Sequence, residues 1–118
     1  GWWPGDDNAN DISSNGDYGT LVNGATFAPG MVGSAFSLMG STDYISIPDR
    51  PQLNPGNGDF TIDCWIKTSE AVGTFAILDK QAFDANQNVS GYGLYVVDGF
   101  LQLRLVRFSG EWLWCGLV

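Results

Sequence analysis

Short runs of alternating apolar and polar residues, broken by Gly, Pro, Asn and Asp, follow one another along the whole chain. A period of two is the signature of half-buried strands, so the chain is expected to be built from them. Ser34 to Leu38 and Tyr44 to Ile47 are predicted strands flanking the turn Gly40-Ser41-Thr42-Asp43. Pro48, Pro51 and Pro55 then impose a loop, because proline has no N–H to give to a ladder. The clearest alternation is Phe60-Thr61-Ile62-Asp63-Cys64-Trp65-Ile66-Lys67. A strand there places Phe60, Ile62, Cys64 and Ile66 on one face, and Thr61, Asp63, Trp65 and Lys67 on the other. Phe75 to Leu78 is a further strand, and Asp84 to Ser90 reads as polar loop. Gly93 to Val97 and Phe100 to Leu105 form a predicted hairpin across Asp98-Gly99, a dipeptide favoured in type I′ turns. Leu101, Leu103 and Leu105 then face inward, with Gln102 and Arg104 outward. No stretch holds helical periodicity over about ten residues or more. The expected fold is an all-β antiparallel sandwich of the jelly-roll kind.

Composition narrows the function classes. A length of 118 residues suits one domain, and 44% apolar residues with five Trp, four Tyr and seven Phe can supply a core. The net charge of −8 disfavours nucleic acid and anionic lipid as partners, since both require a basic surface. The charge is uneven. Residues 1–63 carry eight acids and one base, whereas residues 64–118 carry five acids and four bases. No apolar run approaches the roughly 20 residues of a membrane-spanning helix. There is no histidine, which removes Ser-His and Cys-His nucleophile pairs and imidazole zinc sites. Cys64 and Cys115 are the only thiols, so they are open to pairing as a disulfide or to serving as small core residues.

Three groups of residues carry candidate chemistry. The densest is Asp6-Asp7-Asn8-Ala9-Asn10-Asp11-Ile12-Ser13-Ser14-Asn15-Gly16-Asp17. Oxygen-bearing side chains alternate there on a glycine-containing loop, and Ca²⁺ takes six to eight oxygen ligands. Asp6, Asn8, Asn10 and Asp11 are therefore candidate calcium ligands, set against a plain Asx turn whose side chains bond their own backbone. An EF-hand is excluded, because Asp11 stands where glycine is needed and Asp17 where a bidentate Glu belongs. The tryptophans form the second group, since an indole face can stack on a pyranose ring or fill a core. Trp65 lies opposite the inferred core face of its strand, and Trp112 lies near the C-terminus. Paired carboxylates are the third possibility. Asp63 is alone on its strand, and Asp6, Asp7 and Asp11 share a loop, so glycoside hydrolysis is disfavoured and no enzyme is expected.

The ordered motifs resemble a known family. Trp2-Trp3-Pro4-Gly5-Asp6, Asn8-Ala9-Asn10-Asp11, Gly19-Thr20-Leu21, and Asn23-Gly24-Ala25-Thr26-Phe27-Ala28-Pro29-Gly30 are followed by Gly33-Ser34-Ala35-Phe36 and Asp43-Tyr44-Ile45. Asp59-Phe60-Thr61-Ile62, Trp65-Ile66 and Gly91-Tyr92-Gly93-Leu94 continue the series. Together they resemble bacterial laminin G-like domains of the concanavalin A-like superfamily. The resemblance implies a jelly-roll sandwich acting as a non-catalytic adhesion or carbohydrate-binding module, secreted or on the cell surface. For a binding module of this kind the candidate ligand contacts are Asp43, Tyr44, Trp65, Tyr92 and Trp112, with the loops around residues 6–17, 40–43 and 84–90. Asp11 matches a loop ligand of calcium-binding relatives, whereas Leu113 and Trp114 replace the family's His positions. Sandwiches of this type run to about 200 residues, so the chain looks like the first three-fifths of one. The half-covered core this implies makes self-association, as a homodimer, an expected property beside carbohydrate or glycoprotein binding. A purely structural or assembly role, without a ligand, is the alternative.

Overall fold

The structure is a computed structural model that describes residues 1–70, 72–106 and, by their backbone, 112–117. Two compact units divide at the Trp65–Ile66 bond. Every strand pair in them is antiparallel, and among the described residues the only helical element is a 3₁₀ turn at Pro51–Leu53. The fold class is all-β, as the alternation requires.

In the first unit, β1 (Thr20–Val22) pairs with β4 (Tyr44–Ser46), and β2 (Thr26–Pro29) pairs with β3 (Ser34–Ser37). The inner pair is thus nested between the two strands of the outer one. Phe27 and Phe36 sit opposite each other in register, with ring centroids 5.7 Å apart, a cross-strand aromatic pair that fixes the inner hairpin. The turns that enter and leave it are tied together by Asp43. Its carboxylate accepts the backbone N–H of Gly24 at 2.9 Å and of Gly40 at 2.7 Å, while Asn23 donates its side-chain amide to the Thr42 carbonyl.

The second unit is a four-stranded meander in the order β5 (Thr74–Phe83), β6 (Val89–Val97), β7 (Phe100–Val106), β8 (Trp112–Leu117). The Asp98-Gly99 hairpin forms as expected. Both residues have positive φ, 49° and 84°, as a type I′ turn demands, and Val97 pairs with Phe100 across it. A bulge at Ile77 shifts the register of β5 between Ala76 and Leu78. Phe75 and Leu78 are thereby brought to the same face, where simple alternation would separate them. One face of the sheet then carries Leu78, Leu94, Val96, Leu101, Leu103 and Leu105. The other carries Asp79, Gln81, Tyr95, Gln102 and Arg104. Leu94, Tyr95, Val96 and Val106 form the buried centre of this unit.

Three sequence expectations are corrected. Phe60 to Lys67, the clearest alternation in the chain, belongs to no strand, and Trp65 is 82% exposed. Alternation specifies which residues share a face, but a strand exists only when a neighbour receives its backbone groups. The stretch expected as loop at 84–90 is shorter, because β6 already begins at Val89. Cys64, expected in a disulfide or in a core, is a free and exposed thiol. Partial desolvation and the neighbouring Asp63 charge push its pKa up. The side chains of Trp112, Trp114 and Cys115, and residues Ser109 to Glu111 of the C-terminal segment, lie outside the described residues.

Candidate functional site

The Asx-rich loop folds around Asp11. That side chain is 4% exposed and its two carboxylate oxygens accept four hydrogen bonds. Oδ1 takes the N–H of Trp2 at 2.8 Å and of Ser13 at 2.9 Å. Oδ2 takes the Ser13 hydroxyl at 2.8 Å and the N–H of Asp17 at 3.0 Å. Burial alone would raise the Asp11 pKa, but the four donors outweigh it and hold the carboxyl well below the usual range. A carboxylate offers about four lone-pair positions, so Asp11 has none left for a cation. Asp6 accepts the Ser34 N–H through Oδ1, and Asn8 bonds the Asp6 carbonyl and the Asn10 N–H. Each of these bonds fastens loop to backbone. Asp11, Asp6 and Asn8 thus tie the loop to backbone, the saturated Asp11 does not fit a cation, and among the described residues no three His, Cys, Asp or Glu side chains are grouped to hold a metal ion. Asp17, not singled out as a ligand, is 1% exposed. Its Oδ1 accepts the Gln52 amide and its carbonyl accepts the Trp3 indole N–H, while its Oδ2 has no partner among the described residues.

The five expected ligand contacts are spread over both units. Asp43 is occupied with the two turns described above. Tyr44, at the start of β4, is exposed and pairs in register with Val22. Trp65 stands outside every strand. Tyr92 lies in β6 opposite Lys80 and Leu105, on the face that carries the leucines. Trp112 pairs in register with Val106. The 84–88 turn is closed by Asp84, whose carboxylate accepts the Asn88 side-chain amide at 2.9 Å and the N–H groups of Asn88 and Asn86. Those bonds lower its pKa against a small opposing effect of burial.

A group of polar side chains does converge, on the second face of the meander. Tyr95, 5% exposed, lies with its ring under the Arg104 guanidinium, 4.2 Å from carbon to centroid. Burial pushes the Tyr95 pKa up to about 12, helped by a hydrogen bond to the Asp79 carboxylate and by that group's charge, and opposed by Arg104. Arg104 also donates through Nε to Gln102 Oε1 at 2.8 Å. Gln81, on β5, has an Nε2 buried with no partner among the described residues. The result is a planar patch of two amides, a carboxylate, a guanidinium and a phenol. Its β6–β7 half was accessible in principle from the turn at Asp98-Gly99, because a two-residue hairpin sets Tyr95 opposite Gln102. Asp79 and Gln81 were not, since their face depends on the bulge at Ile77.

No known protein family matches the chain, and no curated protein sequence matches it. A solved structure does. It is a fragment, residues 221–444, of an S-layer domain-containing protein from Clostridium thermocellum, 22% identical, with a TM-score of 0.70. The match covers 99% of this chain and 57% of that one. The two share a fold, and the chain spans little more than half the length of its neighbour.

Proposed function

We propose that this chain is a non-catalytic carbohydrate-binding module of a cell-surface protein, with the polar face of β5–β7 as its sugar-facing surface. The observation that carries the reading is the convergence of Asp79, Gln81, Tyr95, Gln102 and Arg104 on that face. Sugar hydroxyls both donate and accept, and planar amides and charged groups on adjacent strands match them pairwise. Gln81 supplies a buried amide donor with no partner among the described residues. Such a group is costly to leave unpaired and is satisfied by a ligand oxygen or an ordered water. The laminin G-like motifs of the sequence and the S-layer neighbour both support a surface location. The non-catalytic reading is supported by the lack of histidine in the sequence, which removes Ser-His and Cys-His nucleophile pairs.

Screening against a glycan array, then titration calorimetry on the strongest hit, tests the reading. Arg104→Ala and Gln81→Ala are each expected to weaken binding by roughly tenfold or more. No reproducible hit, or full affinity in both variants, would overturn it. Calcium has no part in this reading. The melting temperature is expected to be the same in calcium and in chelator, whereas a cation bound only by the folded state would raise it by mass action.

A further inference from the structure

The segment with the strongest strand pattern is the one without a sheet. None of Thr61 to Lys67 makes a backbone hydrogen bond with a described residue, and none has positive φ. The N–H and C=O groups of these seven residues have no backbone partner among the described residues, and an unpaired row of this kind is a template for adding a strand. Trp65 and Ile66 are exposed on it, and Val72 a little beyond. In a chain of net charge −8, this stretch is locally neutral, with Asp63 and Lys67 as its one acid and one base.

We propose that Asp63–Lys67 pairs antiparallel with the same segment of a second copy, with Trp65 on the two-fold axis. The charge order selects the occupant and the register together. With Trp65 opposite itself, Asp63 faces Lys67 of the second copy and Lys67 faces its Asp63, so two opposite-charge pairs flank an aromatic pair. The other face then brings Cys64 opposite Ile66 in both directions. Moving the axis to Cys64 sets Asp63 against Trp65 and loses both direct ion pairs. A slip to a half-residue axis sets the apolar face of one copy beside the polar face of the other. An isologous contact of this kind closes on itself, so the product is a dimer rather than a fibre. This goes beyond the sugar-binding reading and uses none of its residues, so the two stand or fall separately.

Sedimentation equilibrium across the micromolar range tests it. The unaltered chain is expected to dimerise. Asp63→Lys and Lys67→Asp each place like charges opposite one another and should weaken the dimer about tenfold or more, while the two changes together should restore it. Both residues are exposed, so the single variants should fold, and circular dichroism checks this. A monomer at every concentration, singles that dimerise normally, or a double variant as weak as the singles would each overturn the proposal. Independently of charge, Trp65→Cys with Cys64→Ser and Cys115→Ser should form a disulfide-linked dimer on mild oxidation. Directly opposed strand residues lie about 4.5–5.5 Å apart, within reach of that bond. A chain that stays unlinked overturns the register.

Discussion

Asp11→Ala is expected to lower the melting temperature by roughly 5–10 °C or more, the shift that goes with losing several buried hydrogen bonds in a small domain. The change leaves the N–H groups of Trp2, Ser13 and Asp17 without their acceptor, and the Asp17 N–H lies in a buried position. Asp11→Asn should fall in between. Its amide oxygen can still accept from Trp2 and Ser13, but its NH₂ then points at the Asp17 N–H, two donors facing each other. The same carboxylate makes stability depend on acid. Because the folded-state pKa is depressed, the folded chain holds this proton more weakly than the unfolded chain does. The stabilisation is therefore fully present above the unfolded value, near pH 4, and is lost progressively as pH falls below it. Asp84 is shifted in the same direction and adds to the loss. Thermal scans from neutral pH downward should show the decline in the natural chain and a flatter profile in Asp11→Ala. A steep, unchanged profile in that variant would show that other carboxylates dominate.

Gly91→Ala is expected to destabilise the second unit by about 2–4 kcal/mol, combining backbone strain with a steric clash. Gly91 has φ of 124°, a conformation that side-chain-bearing residues rarely adopt. A Cβ there would run into the Lys80 carbonyl oxygen and come within 3.0 Å of the Gln81 Cα. Both obstacles are backbone of the neighbouring strand, so neither can swing away. Relief requires parting β5 from β6 where Gln81 pairs with Gly91. Gly56→Ala serves as the comparison. Its φ is 60° with no atom within 4 Å of the added carbon, so only the left-handed conformation is penalised, at about 1–2 kcal/mol. Chemical denaturation of the two variants measures both costs. Equal destabilisation would show that Gly91 is needed for its φ alone and that the strands give way easily.

How far the sequence reached depended on whether each feature was local. The all-β class and the Asp98-Gly99 hairpin are local properties of alternation and turn chemistry, and both were legible residue by residue. So was the common face of Leu101, Leu103 and Leu105, since a two-residue turn sets the register of both its arms. The Asx-rich loop was recognised as a special cluster, with calcium and an Asx turn both open. Sequence could not decide between ligand and staple, because that turns on which N–H groups reach Asp11. Two of its four donors come from Trp2, nine residues before it, and Asp17, six after, with Ser13 supplying the other two. The polar patch was half visible. Tyr95, Gln102 and Arg104 follow from the hairpin, whereas Asp79 and Gln81 join them only through the bulge at Ile77, a register shift no periodicity announces. Phe60 to Lys67 marks the sharpest limit. Its pattern alone determined which side chains share a face, but pairing is a property of two segments, and only the tertiary structure could show that no described strand pairs with it.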